Sequence, residues 1–474
     1  MKKFCFLYLT NILFFLPIAV FAQSSSVDTG VAIVTLKQSV QYALRNQPVL
    51  KQAYIDEQIN ERDIRIGLSG WLPQVNSSNS VQHYFQRPNI IGGGVATGVG
   101  TGTGGTGTGG TGTGGTGTGG TGTGTSQQNL AIAKNVSTLG VSASQTIYNN
   151  DVLLASRASK YSRQYYKQNT ESNKIDLVSD VSKAFYDVLL SQRQLDIIKE
   201  DIVRLRRSLK DAYSRYQAGV VDKTDYKQAT IALNNALASQ KQTQEAIKSK
   251  TAFLKQTMGF DPNRQIVLSY DSARLQNEAV ADTTQMLNYG NRVEYRLLES
   301  TKSLQNLNVS YYRWGFLPSL SAVGAYSLAY FNDSFSGLYD KGYPTSYVGL
   351  SLNIPIFTGT KRLQNLSKAR LQVKRTDLDL ENTRNAINTE YVQALANYKS
   401  NYTNWQLLSQ NVQLAQDVYK VVDLQYREGI KTYLDVIVAQ ADLRTAELNY
   451  YNALFQLLSA KIDLQRALGT LPLE

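Results

Sequence analysis

The chain has 474 residues, of which 49 are basic and 37 acidic, giving a net charge of +12. It contains one cysteine and one histidine, which excludes disulfides and leaves almost no material for thiolate or imidazole metal sites or for Ser-His-Asp catalysis. The basic residues are spread along the chain and form no stripe, which argues against binding of nucleic acid.

Residues 1–22 have the pattern of a secretory signal peptide. Two lysines precede an apolar run from Phe4 to Val20, and the small residue Ala22 follows as the predicted cleavage site. The run is shorter than the roughly 18 to 20 residues that a spanning helix needs. We therefore predict an exported chain that loses its cysteine with this segment. No later stretch is apolar enough for a spanning helix, so any membrane span would have to be a β-barrel.

The rest of the chain is predicted to be an internal duplication. The segment Tyr216–Gly219 corresponds to Tyr426–Gly429, and the offset of 210 residues holds as far as Gly259 and Gly469. Each half is predicted to run helix, strand, loop, strand, very long helix, tight turn, shorter helix. The predicted division is residues 23–260 as the first repeat, 261–290 as a linker or equatorial segment and 291–474 as the second repeat.

The first repeat opens with a predicted helix at about residues 35–70, followed by a strand from about 74 to 85. The Gly/Thr tract at 92–125 holds more than half of the 34 glycines, and is predicted to be a flexible extracellular loop. In the next strand Val141, Ala143 and Ile147 alternate with serines and a threonine, as in a half-buried sheet.

A very long helix is predicted from about residue 151 to 216, because apolar residues recur at heptad-like spacing and no proline interrupts them. At a rise of about 1.5 Å per residue it would reach about 100 Å. Gly219 lies where the chain must reverse, and Asp222 is a candidate N-cap for the return helix, which ends at Met258.

The second repeat has the same order, with a helix at about residues 291–315 and a long helix that ends near Tyr426. Its strand residues Val348, Leu350 and Leu352 alternate with small or polar residues. The return helices are too short to match the long ones. The helix that precedes each strand pair is therefore predicted to stack end to end on the return helix of its repeat.

Apolar-out, polar-in alternation is the pattern of an outer-membrane barrel. Four strands cannot close, because a barrel needs about eight strands to enclose even a side-chain-filled interior. The predicted fold class is mainly α with a β-barrel portion. Its protomer is a duplicated set of long coiled helices with four strands, and three copies would form a 12-stranded barrel continued by a helical periplasmic tunnel. A soluble periplasmic two-sheet protein is the alternative.

With these marks the sequence resembles the TolC-type outer-membrane factors of tripartite efflux pumps and type I secretion. The likeness rests on the duplicated order, the two turns, and the closing Ala467–Leu471. It implies a homotrimer in the outer membrane with its helical tunnel in the periplasm. The implied partners are a periplasmic adaptor protein, an inner-membrane pump of RND or ABC type and outer-membrane lipid; no cofactor and no nucleic acid are implied.

The resemblance also assigns roles at the two turns. It implies that the adaptor docks at the tips, on Tyr216, Gly219, Tyr426 and Gly429. The alternative is that both tyrosines only end an apolar seam between helices.

The same resemblance implies a gate in which Tyr426, Lys431 and Asp225 hold the tips closed and three copies of Asp435 form a constricting acidic ring. Val438 stands where the family carries a second acidic ring, so a single ring is expected. The alternative for Asp435 is a solvated carboxylate or a cap of the final helix.

The predicted function is a passive exit duct for efflux and not an enzyme. A channel for type I protein secretion is the near alternative, and a periplasmic coiled-coil scaffold without a barrel is a more distant one. An exported enzyme would need convergent catalytic groups, which the sequence does not offer.

Overall fold

The computed structural model describes residues 32–86, 133–220, 222–269 and 272–473. The predicted signal peptide and the Gly/Thr tract lie outside these residues. Two helices of 68 and 67 residues dominate the molecule, α3 (Asn150–Gln217) and α7 (Lys361–Arg427). At about 1.5 Å per residue each is about 100 Å long, as the sequence predicts.

Among the described residues, the remaining elements are shorter helices and six strands. In chain order they are β1 (Ala32–Val34), α1 (Leu36–Asn46), α2 (Pro48–Ser69), β2 (Gln74–His83), β3 (Asn135–Tyr148), α4 (Lys223–Met258), β4 (Ile266–Leu268), α5 (Ser272–Glu278), α6 (Val293–Trp314), β5 (Ser319–Asn332), β6 (Gly342–Asn353) and α8 (Tyr433–Leu468). In this part of the chain no helix combines the length and the apolar character needed to cross a membrane.

The helix predicted at about residues 35–70 is in fact two helices. α1 ends at Asn46 and α2 begins at Pro48, with Gln47 in an extended conformation between them. Proline has no N–H to donate and disfavours helical conformation in the residue before it, so the break falls at Gln47. The prediction of one continuous helix was wrong at this point.

Four antiparallel strands form the main sheet in the order β2-β3-β5-β6, so β2 and β6 are its edges. The register places Val141 opposite Tyr326 and Gly324 opposite Val348, which gathers the apolar side chains on one face. That face is open in the single chain, where Val348 is 92% exposed. The predicted alternation is confirmed, with a register shift around Ile147.

The shorter helices lie end to end beside the long ones, as predicted. α3 packs against α2 and α4 on one side and against α6 and α8 on the other, and α7 packs against α6 and α8. At the first joint Gln47 Nε2 donates to the carbonyl of Thr257 near the end of α4, at 3.0 Å. At the second, Arg292 Nη1 donates to the carbonyl of Ala467 near the end of α8, at 3.0 Å.

The largest hydrophobic core surrounds these joints, midway along the helices. Phe185 and Leu189 of α3 meet Leu254 of α4 and Leu457 of α8, all at most 1% exposed. The small parallel sheet of β1 and β4 and the helix α5 pack on the same core. The segment 261–290, predicted as a linker or equatorial segment, supplies core residues such as Leu268 and Leu275.

Candidate functional site at the helix-turn-helix tips

Two tight turns close the end of the molecule farthest from the sheet. Gly219 and Gly429 have φ values of +72° and +79°, a conformation that favours glycine. After each glycine a backbone N–H bonds back into the helix, from Val220 to the carbonyl of Arg215 at 3.0 Å and from Ile430 to that of Gln425 at 2.8 Å. This pattern satisfies the last carbonyls of α3 and α7 and reverses the chain.

The return helices start differently at the two tips. Thr432 and Asp435 form a reciprocal capping box, in which each side chain accepts a hydrogen bond from the other residue's backbone N–H. Asp222 occupies the N-cap position of α4, but its side chain makes no capping hydrogen bond. The sequence analysis thus predicted the N-cap position correctly. The capping hydrogen bond expected from Asp222 is absent, because it depends on side-chain geometry that the sequence does not give.

Asp435 is engaged within its own tip. Its Oδ2 accepts from Thr432 N at 2.9 Å and from Thr432 Oγ1 at 2.7 Å, and its Oδ1 lies 3.8 Å from Lys431 Nζ. The hydrogen bonds from Thr432, aided by the Lys431 charge, hold the pKa of Asp435 below its usual range. In the single chain Asp435 therefore caps α8, and a ring of three Asp435 carboxylates stays a prediction.

A small apolar cluster ties the two tips together. Tyr426 of α7 and Tyr433 of α8 lie 5.9 Å apart between ring centres, and they pack with Ala212, Ala229 and Val436. Both hydroxyls are buried without a hydrogen-bond partner. Burial raises the pKa of both tyrosines.

The two tyrosines that the sequence treats as equivalent have different surroundings. Tyr216 is 37% exposed and packs on Tyr226 at 5.1 Å between ring centres. Tyr426 is only 7% exposed, with the Arg215 guanidinium 4.5 Å above its ring. The structure thus leaves Tyr216 accessible and covers Tyr426.

The predicted gate residues lie close together at the tips. The negative charge of Asp225 is felt by both Tyr426 and Tyr433, where it adds to the raised pKa. In the part of the chain that the structure describes, Lys431 forms an ion pair with Asp435 and not with Asp225. A latch between Lys431 and Asp225 therefore stays a prediction.

Sequence reasoning missed a polar cavity of about 360 Å³ between α3 and α7, just above the turns. Three arginines of α3, Arg204, Arg207 and Arg215, line it together with Arg427 of α7. Their spacing along one face of α3 is readable in the sequence. Which helix faces them is not, because it depends on the packing of four helix ends.

Sequence reasoning also missed a buried ionic cluster between α3 and α8. Asp201 is 1% exposed, and it accepts hydrogen bonds from Gln440 Nε2 at 3.1 Å and from Arg444 Nη1 at 3.0 Å. Beside it, burial raises the pKa of Glu447. The cluster lies above the cavity on α3 and fixes α8 against α3.

The described residues contain no group of three or more His, Cys, Asp or Glu side chains placed to hold a metal ion. His83, the single histidine, lies in β2 at the opposite end of the molecule. There its Nδ1 is 2.6 Å from Asn135 Oδ1, which gives it a partner within the sheet.

Comparison with known proteins agrees with this architecture. The model of one protein family, described as outer membrane efflux protein, matches residues 114–259 and 303–470, more than half of the chain. The chain is 22% identical to the outer membrane protein TolC of Vibrio cholerae over 337 residues, which cover 70% of this chain and 76% of that protein. It is 23% identical to a probable efflux pump outer membrane protein, TtgC, of Pseudomonas putida over 430 residues, 90% of this chain and 83% of the other.

Among solved structures, the CmeC outer membrane channel of Campylobacter jejuni matches with a TM-score of 0.69 at 18% identity. The match covers 92% of this chain and 85% of that channel. At this level of identity the match shows a shared fold.

Proposed function

Because the chain belongs to the outer membrane efflux protein family, we propose that three copies of it form a passive duct across the outer membrane and the periplasm. The duct would receive its substrates from an inner-membrane pump through a periplasmic adaptor. The protein is an outer-membrane channel component and not an enzyme, as the family and its relatives indicate. Energy for transport would come from the pump.

The observation that carries the proposal is the open sheet with its bare apolar face. Edge strands β2 and β6 lack a partner on one side, and Val75, Val348 and Leu350 are each at least 64% exposed. Unpaired edges cannot lie in lipid, so neighbouring copies must supply the missing partners. Two copies would give about the minimum that closes around side chains, whereas three would give twelve strands around an aqueous lumen.

The helical region supports the same assembly. The helical layer has two edges. One edge is α7, and the other is formed by α2 and α4 stacked end to end, because each of these packs against neighbouring helices on one side only. Exposed apolar side chains lie along both edges of the helical layer. On α7 they are Leu363, Leu371, Leu378, Val392, Leu407, Leu414, Val418, Val421 and Leu424, and on α2 and α4 they are Val49, Tyr54, Ile55, Ile59, Ile66, Ile231 and Phe253.

We propose that efflux, not protein secretion, is the main task. The support is that several similar proteins carry efflux pump names, among them TtgC and the toluene efflux pump protein TtgF of Pseudomonas putida. The polar face of the sheet, rich in serine and threonine, would line the duct and is suited to many solutes. Substrate choice would lie with the pump.

The adaptor would dock at the tips. Tyr216, Gly219 and Gly429 are the accessible members of the predicted docking set, and nothing lies within 4 Å of where a Cβ of either glycine would be. Tyr426 is covered, so it would act through Arg215, which stacks on it. Replacing Gly219 by a bulky residue should weaken adaptor capture while the trimer remains intact, measured by pull-down with the purified adaptor.

The gate is best tested by single-channel recording of the detergent-extracted protein in planar bilayers, paired with its native mass. The expected result is a trimer with low, cation-selective conductance that opens when Lys431 or Asp225 is replaced. A monomer that forms no pores would contradict the duct itself.

Asp435→Asn tests the acidic ring separately, because asparagine keeps an oxygen for Thr432 while it removes the charge. We expect cation selectivity to fall and block by a trivalent cation to weaken by about tenfold or more, since three charges are lost at one constriction. Asp417→Asn is the matched control, as it is an exposed α7 carboxylate paired with Lys420. Equal effects of the two replacements would reject the ring.

A further inference from the structure

The cavity between α3 and α7 has an excess of positive charge. Arg204, Arg207, Arg215 and Arg427 line it against only two acidic residues, Asp211 and Asp423. Asp423 is already paired with Arg427. Among the described residues Arg207 is exposed and forms no ion pair, and Arg215 stacks on the Tyr426 ring without an ion pair, so their positive charge remains available at the cavity.

Several donors at the cavity also lack acceptors. The Tyr426 hydroxyl is buried, on a side chain only 7% exposed, and has no hydrogen-bond partner. The Nε and Nη2 atoms of Arg204 are likewise buried without a hydrogen-bond partner, although the guanidinium forms long ion pairs of 3.7 to 4.0 Å with Glu200, Asp201 and Glu447. Buried donors without acceptors are costly, so a group rich in acceptor oxygens would stabilise this arrangement.

We propose that this cavity is a binding site for a small oxyanion of the phosphate or carboxylate class. Such an anion presents only acceptors, which is the complement of Arg204, Arg207 and the Tyr426 hydroxyl. Guanidinium groups bind planar or tetrahedral oxyanions through paired N–H donors. The cavity volume of about 360 Å³ is ample for one such anion.

The site would have a consequence for gating, which rests on the proposed duct. Its donors come from both α3 and α7, and these helices end at the two different tips. An anion held between them favours the conformation in which the tips stay together. Binding itself does not depend on the duct, so the two claims can fail separately.

The experiment is calorimetric titration of the full-length protein in detergent with inorganic phosphate, at ionic strength held constant with sodium chloride. We expect saturable binding of one phosphate per chain. Arg207→Gln and Tyr426→Phe should each weaken it by about tenfold, the loss of one hydrogen bond to a charged ligand. Tyr426→Phe keeps the ring that packs at the tip, so it tests the hydroxyl alone.

Arg206→Gln is the matched control, because Arg206 is the exposed neighbour on α3 and does not line the cavity. It carries the same change in net charge and should leave the affinity unchanged. Equal weakening by Arg206→Gln and Arg207→Gln would mean general charge screening and would overturn the site. Absence of saturable heat would mean that water alone fills the cavity, and would overturn it too.

Parallel titrations with acetate distinguish the two sources of oxyanion. Tighter binding of phosphate assigns the site to phosphates, and tighter binding of acetate assigns it to carboxylates. Conductance recorded without either anion tests the duct independently of the anion site. If the protein forms pores but binds no anion, the proposed site is refuted and the proposed duct is not. If binding is found, phosphate should lower the open probability of the unmodified protein and leave that of Arg207→Gln unchanged.

Discussion

Glycines with the same backbone conformation have different structural importance in this protein. Gly469 has φ of +70°, and a Cβ there would lie 2.7 Å from the carbonyl oxygen of Asn291. Gly219 has φ of +72° with open space around it. Glycine is therefore required at position 469 for two reasons, the left-handed backbone conformation and the close contact at the helix joint. At position 219 only the backbone conformation requires it.

This contrast gives a stability prediction. Gly219→Ala should cost about 1–2 kcal/mol, the penalty for an alanine in the left-handed conformation. Gly469→Ala should cost clearly more, because backbone atoms at the joint must also move. Thermal unfolding followed by the helical circular dichroism signal would compare them. Equal shifts in Tm would show that the joint tolerates a side chain.

The pH dependence of stability should report on Glu447. Burial raises its pKa in the folded chain, so folding favours the protonated form. The unfolded chain titrates near the ordinary value, and this group's contribution to stability is therefore full below that value and is lost as the pH rises through the folded-state pKa. Glu447→Gln, which mimics the protonated form, should reduce the loss of Tm between pH 4 and pH 7. An unchanged pH profile would contradict the raised pKa.

Residue roles were predictable only where backbone chemistry dictates them. Gly219 and Gly429 follow from the need to reverse the chain, and capping of the final helix by Asp435 was an alternative that the sequence left open. The burial of Tyr426 beneath Arg215 was not predictable, because it depends on how four helix ends pack.

Among the elements, α3 is fastened to α8 by a ladder of polar contacts that ends well above the tips. From the joint downwards, Asp176 pairs with Arg466 at 2.7 Å and Lys183 with Asp463 at 2.5 Å. Gln194 then bonds Asn452 at 3.0 Å, and Asp201 closes the ladder with Arg444. Below Asp201 the cavity begins, so the tips are less firmly tied than the shaft.

The buried contact between Asp201 and Arg444 should contribute more to the free energy of unfolding than the exposed contacts between α3 and α8. Arg444→Met removes the closer of the two guanidinium groups beside the buried Asp201 carboxylate and leaves Arg204 at 3.7 Å, so it should cost about 1.5–3 kcal/mol, the loss of one hydrogen bond to a charged group. Lys183→Met breaks a partly exposed pair and should cost about 0–1 kcal/mol. Thermal unfolding of both variants checks this. Similar Tm values would mean that solvent already screens Asp201.

The elements themselves were largely predictable, because heptad-like apolar spacing is unambiguous over more than sixty residues. The break between α1 and α2 was missed for a physical reason. Buried Ala43 and Leu50 are seven residues apart, so the helical period continues across Gln47 while the helix does not. The proline alone signalled the break.

For the whole molecule, the exposed apolar stripe of α7 should govern assembly. Leu414→Asp combined with Val421→Asp places charges on side chains that are 63% and 53% exposed in the single chain. Because these side chains are not in the protomer's core, the chain should still fold while trimers become dimers or monomers. Native mass spectrometry and circular dichroism would separate the two effects.

Gln413→Asp is the control for this prediction, since Gln413 is an exposed polar neighbour on the same helix. It should leave the trimer intact. Trimers that survive the double replacement would show that this stripe is not an interface between copies.

The need for more than one copy was open to reasoning from the sequence, because four strands cannot close on themselves; that the number is three stays a prediction. The surfaces through which copies would meet could not be predicted from the sequence. They lie at the two edges of the helical layer, which are known only once the packing order of α2, α4 and α7 is known. The cavity between α3 and α7 could not be predicted either, because these two helices are far apart in the sequence.

The end-to-end joints of α2 with α4 and of α6 with α8 make the length of the rod adjustable. Only α3 and α7 run through the joints, so the part below them is two hairpins, α3–α4 and α7–α8. Inserting seven residues into each of these four helices below the joint would preserve every apolar seam and lengthen that part by about 10 Å. The region between sheet and joint would be unaffected. The architecture thus allows the depth of periplasm spanned to vary in whole heptads while the membrane end stays the same.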